Sequence, residues 1–176
     1  SPGETWESLV QYARSGLLAV DVTRTLTQAF LGLVLGMGVG TALGVGLAYA
    51  RRLGDALEPL LAALNSLPRV AVAPLLIIWF GLGITSKVLL AFFTVVFVIF
   101  MNTYAGVRSV DPDLVRAVQV LGGEGRHVAR WVVLPWVASW VFAALRTSIS
   151  LALAATVTGE FVGSTHGLGY RMVLAT

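Results

Sequence analysis

The sequence contains no cysteine, which excludes disulfides, thiolate-bound zinc and thiol catalysis. It is also poor in charge. Only 12% of its 176 residues are Asp, Glu, Lys or Arg, against about 25% in ordinary soluble domains. No G-x-x-x-x-G-K-[ST] phosphate loop occurs, so the chain lacks the usual means of cradling a nucleotide triphosphate. No signal-peptide pattern is visible and the chain starts at Ser1 without a Met; it reads as part of a longer chain. The net charge of +3 is small, and no interleaving of basic and aromatic residues accompanies it, which argues against a nucleic-acid surface.

Apolar sequence fills the space. The chain is 57% hydrophobic with a mean hydropathy of +0.85, the signature of a polytopic membrane protein. Residues 1–23 are mixed, with Trp6, Leu9, Val10, Ala13, Leu17 and Leu18 at helical spacing between charges. They predict an amphipathic helix lying at an interface. Four apolar regions follow, at about Thr25–Ala50, Leu57–Phe80, Lys87–Tyr104 and Val132–Val162, of 26, 24, 18 and 31 residues, against the roughly 20 a span needs. Pro68 and Pro74 should break or kink the second.

In the first span Gly32, Gly36, Gly40 and Gly44 recur every fourth residue, and Ala48 continues the series. Small residues at this spacing let helices approach closely. The stripe drifts by about 40° per step on a helix of 3.6 residues per turn, so a single partner is expected to use two or three of these glycines.

The basic residues set the orientation. Arg51, Arg52, Arg108, Arg116, Arg126 and Arg130 fall in the two loops that four alternating spans place on one side. The bias puts residues 105–131 in the cytoplasm, with 1–23, 81–86 and 163–171 facing outward.

The most polar stretch is Val107–Trp131, where eight charged or titratable residues gather. Asp111 is a good N-cap and Pro112 suits the first helical position. Leu114, Val115, Val118 and Leu121 form a short apolar face, and Gly122-Gly123 should end the helix. A second short helix from Glu124 then leads into the membrane near Leu134-Pro135. This helix, glycine turn and helix would offer a protruding element to a groove on a partner.

Here the residues resemble a family. Arg116-Ala117-Val118, Gly122 after three intervening residues, then nine residues and Val132, Val133, Leu134 and Pro135 match the spacing of the EAA loop of binding-protein-dependent ABC importer permeases. Arg116 replaces the Glu of that pattern and Val118 its second Ala. The stretches LNSLPRVAVAPLLIIWFGLG, NTYAGVRSVDPDL and GEFVGSTHGLGYRM are similar to the nitrate, sulfonate and taurine permease group. The resemblance runs from about Thr25 to the end.

It implies an all-α type I importer transmembrane domain in the bacterial inner membrane, with about four of six spans visible. Two copies would form the path at their interface, as a homodimer in the membrane lipid. A solute-binding protein would feed it from outside. A cytoplasmic ATPase would dock on the 111–135 loop through Arg116, Ala117, Val118, Gly122, Val132, Leu134 and Pro135. The chain would translocate a small solute and carry no catalysis, cofactor or metal of its own.

Polar residues inside the spans are the candidates for the path, because ionisable groups there are costly and face the bundle interior or water. Asn65, Arg69, Asn102, Arg146 and Glu160 qualify. Arg69 and Arg146 would attract an anion, or else pair with carboxylates such as Glu160 or snorkel. Glu160 with His166 is a weak metal or acid–base signal. A secondary transporter or channel is the competing class, since broken helices occur there too, but it does not predict the EAA spacing. A membrane enzyme would need a convergent catalytic set, and none is visible.

Overall fold

The computed structural model describes residue 3 and residues 10–65 and 69–174. Among them the fold is all helix, with no strand. The helices are α1 (Leu17–Tyr49), α2 (Arg51–Asn65), α3 (Ala73–Phe80), α4 (Ile84–Arg108), α5 (Pro112–Val120), α6 (Gly125–Val128), α7 (Leu134–Val162) and α8 (Leu168–Leu174). A 3-10 turn, Arg69–Val72, precedes α3, and a π turn, Ala129–Val133, joins α6 to α7.

Three helical runs are long and apolar enough to cross a membrane: Leu17–Tyr49, Ile84–Arg108 and Gly125–Val162. Four were expected. The second apolar region is divided instead into α2, which carries Pro59, then the 3-10 turn and the eight-residue α3 opened by Pro74. Topology shows why the chain still needs it. Gly32 approaches Ala91 and Gly44 approaches Thr103, so α1 and α4 run parallel, and two parallel crossings require a return between them. Residues 51–83 supply that return in pieces.

The described part of the N-terminal region also differs from expectation. Residues 10–14 are helical, Gly16 turns the chain at φ +73, and α1 begins at Leu17. Leu17–Thr23 therefore belong to the first long helix rather than to an interfacial one; residues 4–9 lie outside the described residues.

α4 is central and packs α1 on one side and α7 on the other. Ala91, Val95 and Ile99 are buried between them with Ala29, Ala144 and Ala152. Lipid tails are as apolar as these side chains, so contact density rather than the hydrophobic effect must hold the helices together. The glycine stripe provides it. A Cβ added at Gly32, Gly36, Gly40 or Gly44 would lie 2.5–2.8 Å from an atom of α4. All four glycines meet one partner, against the expectation of two or three, because α4 follows the four-residue ridge of α1 as it winds, the geometry of ridge-into-groove crossings. At the lower end Gly54 of α2 fits under the Tyr104 ring, and Arg108 donates to both Asp55 and the Tyr104 hydroxyl, pinning α2 to the end of α4.

Trp131 in the π turn and Trp136 at the start of α7 are exposed, and Trp79 is exposed at the end of α3. These are the two ends of the bundle, where indole rings suit the membrane–water boundary.

Candidate functional site

Three sets of residues carry chemistry, at the basic end, the middle and the far end of the bundle. At the basic end the Asp111 carboxylate accepts from the Asp113 N–H at 2.8 Å and Pro112 opens α5, which starts the helix as the cap rule requires. The helix stops at a Schellman-type turn: Gly123 N–H donates to the Val118 carbonyl at 2.9 Å and Gly122 sits at φ +83. Both glycines are needed. Gly122 takes the left-handed conformation that favours Gly, and a Cβ on Gly123 would lie 2.5 Å from Val118 Cγ1.

No residue of α5, α6 or the π turn is buried. The apex is apolar, with Val120 and Leu121 each 87% exposed. Arg116, in the place of the family Glu, forms an exposed ion pair with Asp113 at 2.9 Å, a contact worth little by itself. Ala117, Leu134 and Pro135 are exposed and Val118 and Val132 half-buried. Between this element and the ends of α1 and α4 lies a cleft of about 730 Å³ lined by residues including Tyr49, Arg108, Arg116 and Gln119.

In the middle, Arg146 stands exposed near the midpoint of α7 and has neither hydrogen bond nor ion pair among the described residues. Ser139, Ala143, Arg146 and Ser150 share its exposed face at helical steps. Asn102 is half-buried and donates to the Val98 carbonyl of its own helix at 2.8 Å. The side chains of Asn65 and Arg69 lie outside the described residues.

At the far end Glu160 is 1% exposed. It does not pair with Arg146, since about four turns of helix separate them. Its carboxylate faces the Thr25 hydroxyl, 2.8 and 3.0 Å from the two oxygens, and accepts the Gly169 N–H at 2.9 Å. Lys87, also 1% exposed, donates to the carbonyls of Leu82 and Gly163, closing the end of α7 onto the start of α4. One turn before Thr25, Asp21 accepts from Gly167 N–H, Arg171 Nε and the Tyr12 hydroxyl at 2.9, 2.9 and 2.6 Å. Burial and the Asp21 hydrogen bond push the Tyr12 phenol up to about 12. The loop after α7 is thus laced to α1, and a Cβ on Gly167, at φ +108, would lie 2.2 Å from a Glu160 oxygen. Among the described residues no group of His, Asp or Glu is arranged to hold a metal, and His166 points to Thr165 rather than to Glu160.

Asp21, Thr25, Gln28 and Lys87 were not anticipated as site residues. A signal existed for the first three: counted backward in steps of four, three and four residues, Gly32 leads to Gln28, Thr25 and Asp21, so the polar cluster and the glycine stripe share one face of α1.

These features define a multi-pass α-helical membrane domain with an exposed helix–turn–helix element at one end and a laced polar cluster at the other. The chain belongs to the family of binding-protein-dependent transport system inner membrane components, which matches residues 25–176. It is 39% identical over 173 residues to the riboflavin transport system permease protein RibX of Chloroflexus aurantiacus, covering 98% of this chain and 63% of that one. It is 32% identical over 155 residues to the taurine transport system permease protein TauC of Escherichia coli, covering 88% and 55%. The chain therefore spans less than two thirds of the length of these curated relatives. Its fold matches a chain of the MetNI methionine ABC transporter in an inward-facing conformation with a TM-score of 0.77 at 18% identity, over 92% of this chain and 81% of that one.

Proposed function

We propose that this chain is the membrane-spanning subunit of an ATP-driven importer that passes a small anionic solute through a path shared by two copies. ATP hydrolysis belongs to a cytoplasmic ATPase, and a solute-binding protein delivers from outside. The observation that carries the reading is the α5–Gly122–α6 element: none of its residues is buried, its apex is apolar and exposed, and it is continuous with a membrane-crossing helix. Such an element suits a groove on another protein. Leu121→Asp places a charge at the apex without touching the turn or the bundle. The purified ATPase subunit should then bind the permease at least tenfold more weakly, while membrane insertion stays at the parent level. Unchanged co-purification would remove the apex from the docking surface.

Arg146 supports the anionic solute. At 1.5 Å per residue it lies roughly 18 Å from the start of α7 and 24 Å from its end, near the middle of a bilayer core of about 30 Å. An Arg facing lipid there costs at least about 2.5–3.5 kcal/mol, so its face, with Ser139 and Ser150, belongs on a water-filled path. The names of the relatives include riboflavin and taurine, and the uncompensated guanidinium favours a sulfonate-like solute over a flavin. Arg146→Ala should reduce ATP-dependent uptake of sulfonate into proteoliposomes at least tenfold with ATPase assembly intact. Uptake at the parent level would take Arg146 off the path.

A further inference from the structure

At the far end of the bundle lies a second cavity, of about 210 Å³, lined by Arg24 and Gln28 of α1, Gly83 and Ile84 at the start of α4, and residues 164–166 of the loop after α7. Four observations give it the character of a binding site. Gln28 is 5% exposed, lines the cavity, and its Oε1 has no hydrogen-bond partner. A buried polar atom left unpaired costs about 1–3 kcal/mol, so the position calls for a donor from a bound molecule. Arg24 is exposed at the rim with no hydrogen bond or ion pair among the described residues. The 25-residue α4 begins at the cavity with Gly83 as an N-cap that makes no side-chain capping bond, leaving the free N–H groups and positive end of a long helix turned to one wall. The nearby carboxylates do not oppose an anion here. Asp21 and Glu160 are each 1% exposed, lie outside the lining, and are engaged by Arg171, Tyr12, Thr25 and the backbone of the loop.

We propose that this cavity is an outer staging site for a small organic anion that carries one N–H or O–H donor. The anionic group sits between Arg24 and the α4 N-terminus, and the donor meets Gln28 Oε1. The volume lies below the roughly 300–1,000 Å³ of pockets that enclose drug-sized ligands, so the site suits a small solute better than a fused-ring one of flavin size. Leu82, Ser164, Thr165 and His166 complete the wall. The inference rests on the import reading only for the direction in which the solute travels; occupancy of the site requires neither ATP nor the ATPase.

The test uses the purified full-length permease in lipid nanodiscs without its ATPase, and equilibrium binding of radiolabelled 2-aminoethanesulfonate, ethanesulfonate and choline. Both sulfonates are expected to bind saturably, the aminosulfonate more tightly, and choline not at all. Arg24→Gln, a surface change that leaves the packing untouched, should weaken both sulfonates at least tenfold. Gln28→Leu should bring the aminosulfonate to the level of ethanesulfonate while ethanesulfonate binding stays within twofold, which also reports that this variant is folded. Absence of saturable binding, parent-level binding by Arg24→Gln, or binding of choline would overturn the site. Sulfonate binding without ATP-dependent uptake would count against the import reading and leave the site standing.

Discussion

Gly40→Leu is expected to lower the melting temperature of the detergent-solubilised protein by about 6–12 °C, while Gly38→Leu changes it little. The two positions are two residues apart on the same helix and have the same helix-propensity change. They differ in what a side chain would meet. A Cβ at Gly40 would lie 2.8 Å from the Val96 carbonyl and 3.0 Å from Ile99 Cβ, whereas nothing lies within 4 Å of one at Gly38. Overpacking typically costs about 1–3 kcal/mol, and contact with a backbone carbonyl puts Gly40 at the top of that range. For a chain of this size 1 kcal/mol is worth about 2–4 °C. Differential scanning fluorimetry on the pair decides the matter: equal melting temperatures would show that α1 and α4 do not meet along this ridge.

The second large effect is expected at Glu160. Glu160→Ala removes the acceptor for the Thr25 hydroxyl and Gly169 N–H and leaves Lys87 buried without a nearby anion. Breaking a buried charge arrangement by deleting one member costs about 3–5 kcal/mol. Glu160→Gln keeps an acceptor and the volume, so it should lose less. The expected order of folded yield after size-exclusion chromatography is parent, then Gln, then Ala. If Ala and parent give the same yield and melting temperature, the far-end cluster does not hold the loop to α1. Gly167→Val should behave like the Ala variant, because it adds strain at φ +108 and presses on the same carboxylate.

The sequence made the membrane class and the helix–glycine turn–helix element legible for a physical reason: both are written in local chemistry. Hydropathy marks spans directly, and Asp111, Pro112 and Gly122-Gly123 each act within a few residues of themselves. The broken return, residues 51–83, was less legible. Its hydropathy resembles a span, and only the parallel pairing of α1 with α4, a long-range fact, shows that it must cross in pieces. The far-end cluster was only partly legible: Asp21, Thr25 and Gln28 share the glycine face of α1, but their partners are long-range. Glu160, Thr25 and Lys87 are separated by up to 135 residues, and no single-sequence pattern announces that a glycine-rich loop will fold back and cover them. Arg146 was visible as an intramembrane charge, but its reading as a partner of Glu160 failed on helix geometry.

The π turn has a mechanical meaning. It lets α6 and α7 run on as one 38-residue helical rod, Gly125–Val162, about 57 Å long at 1.5 Å per residue. Its lower end follows the exposed apex of α5 across the Gly122-Gly123 turn, and its upper end carries Glu160 and the loop that walls the far-end cavity. Such a rod is a lever. A tilt of about 5° imposed at the apex would sweep the opposite end through about 5 Å, on the scale of the rigid-body shifts that switch transport proteins. A push on Leu121 would therefore be felt at Ser164–His166 without any side chain between them having to repack.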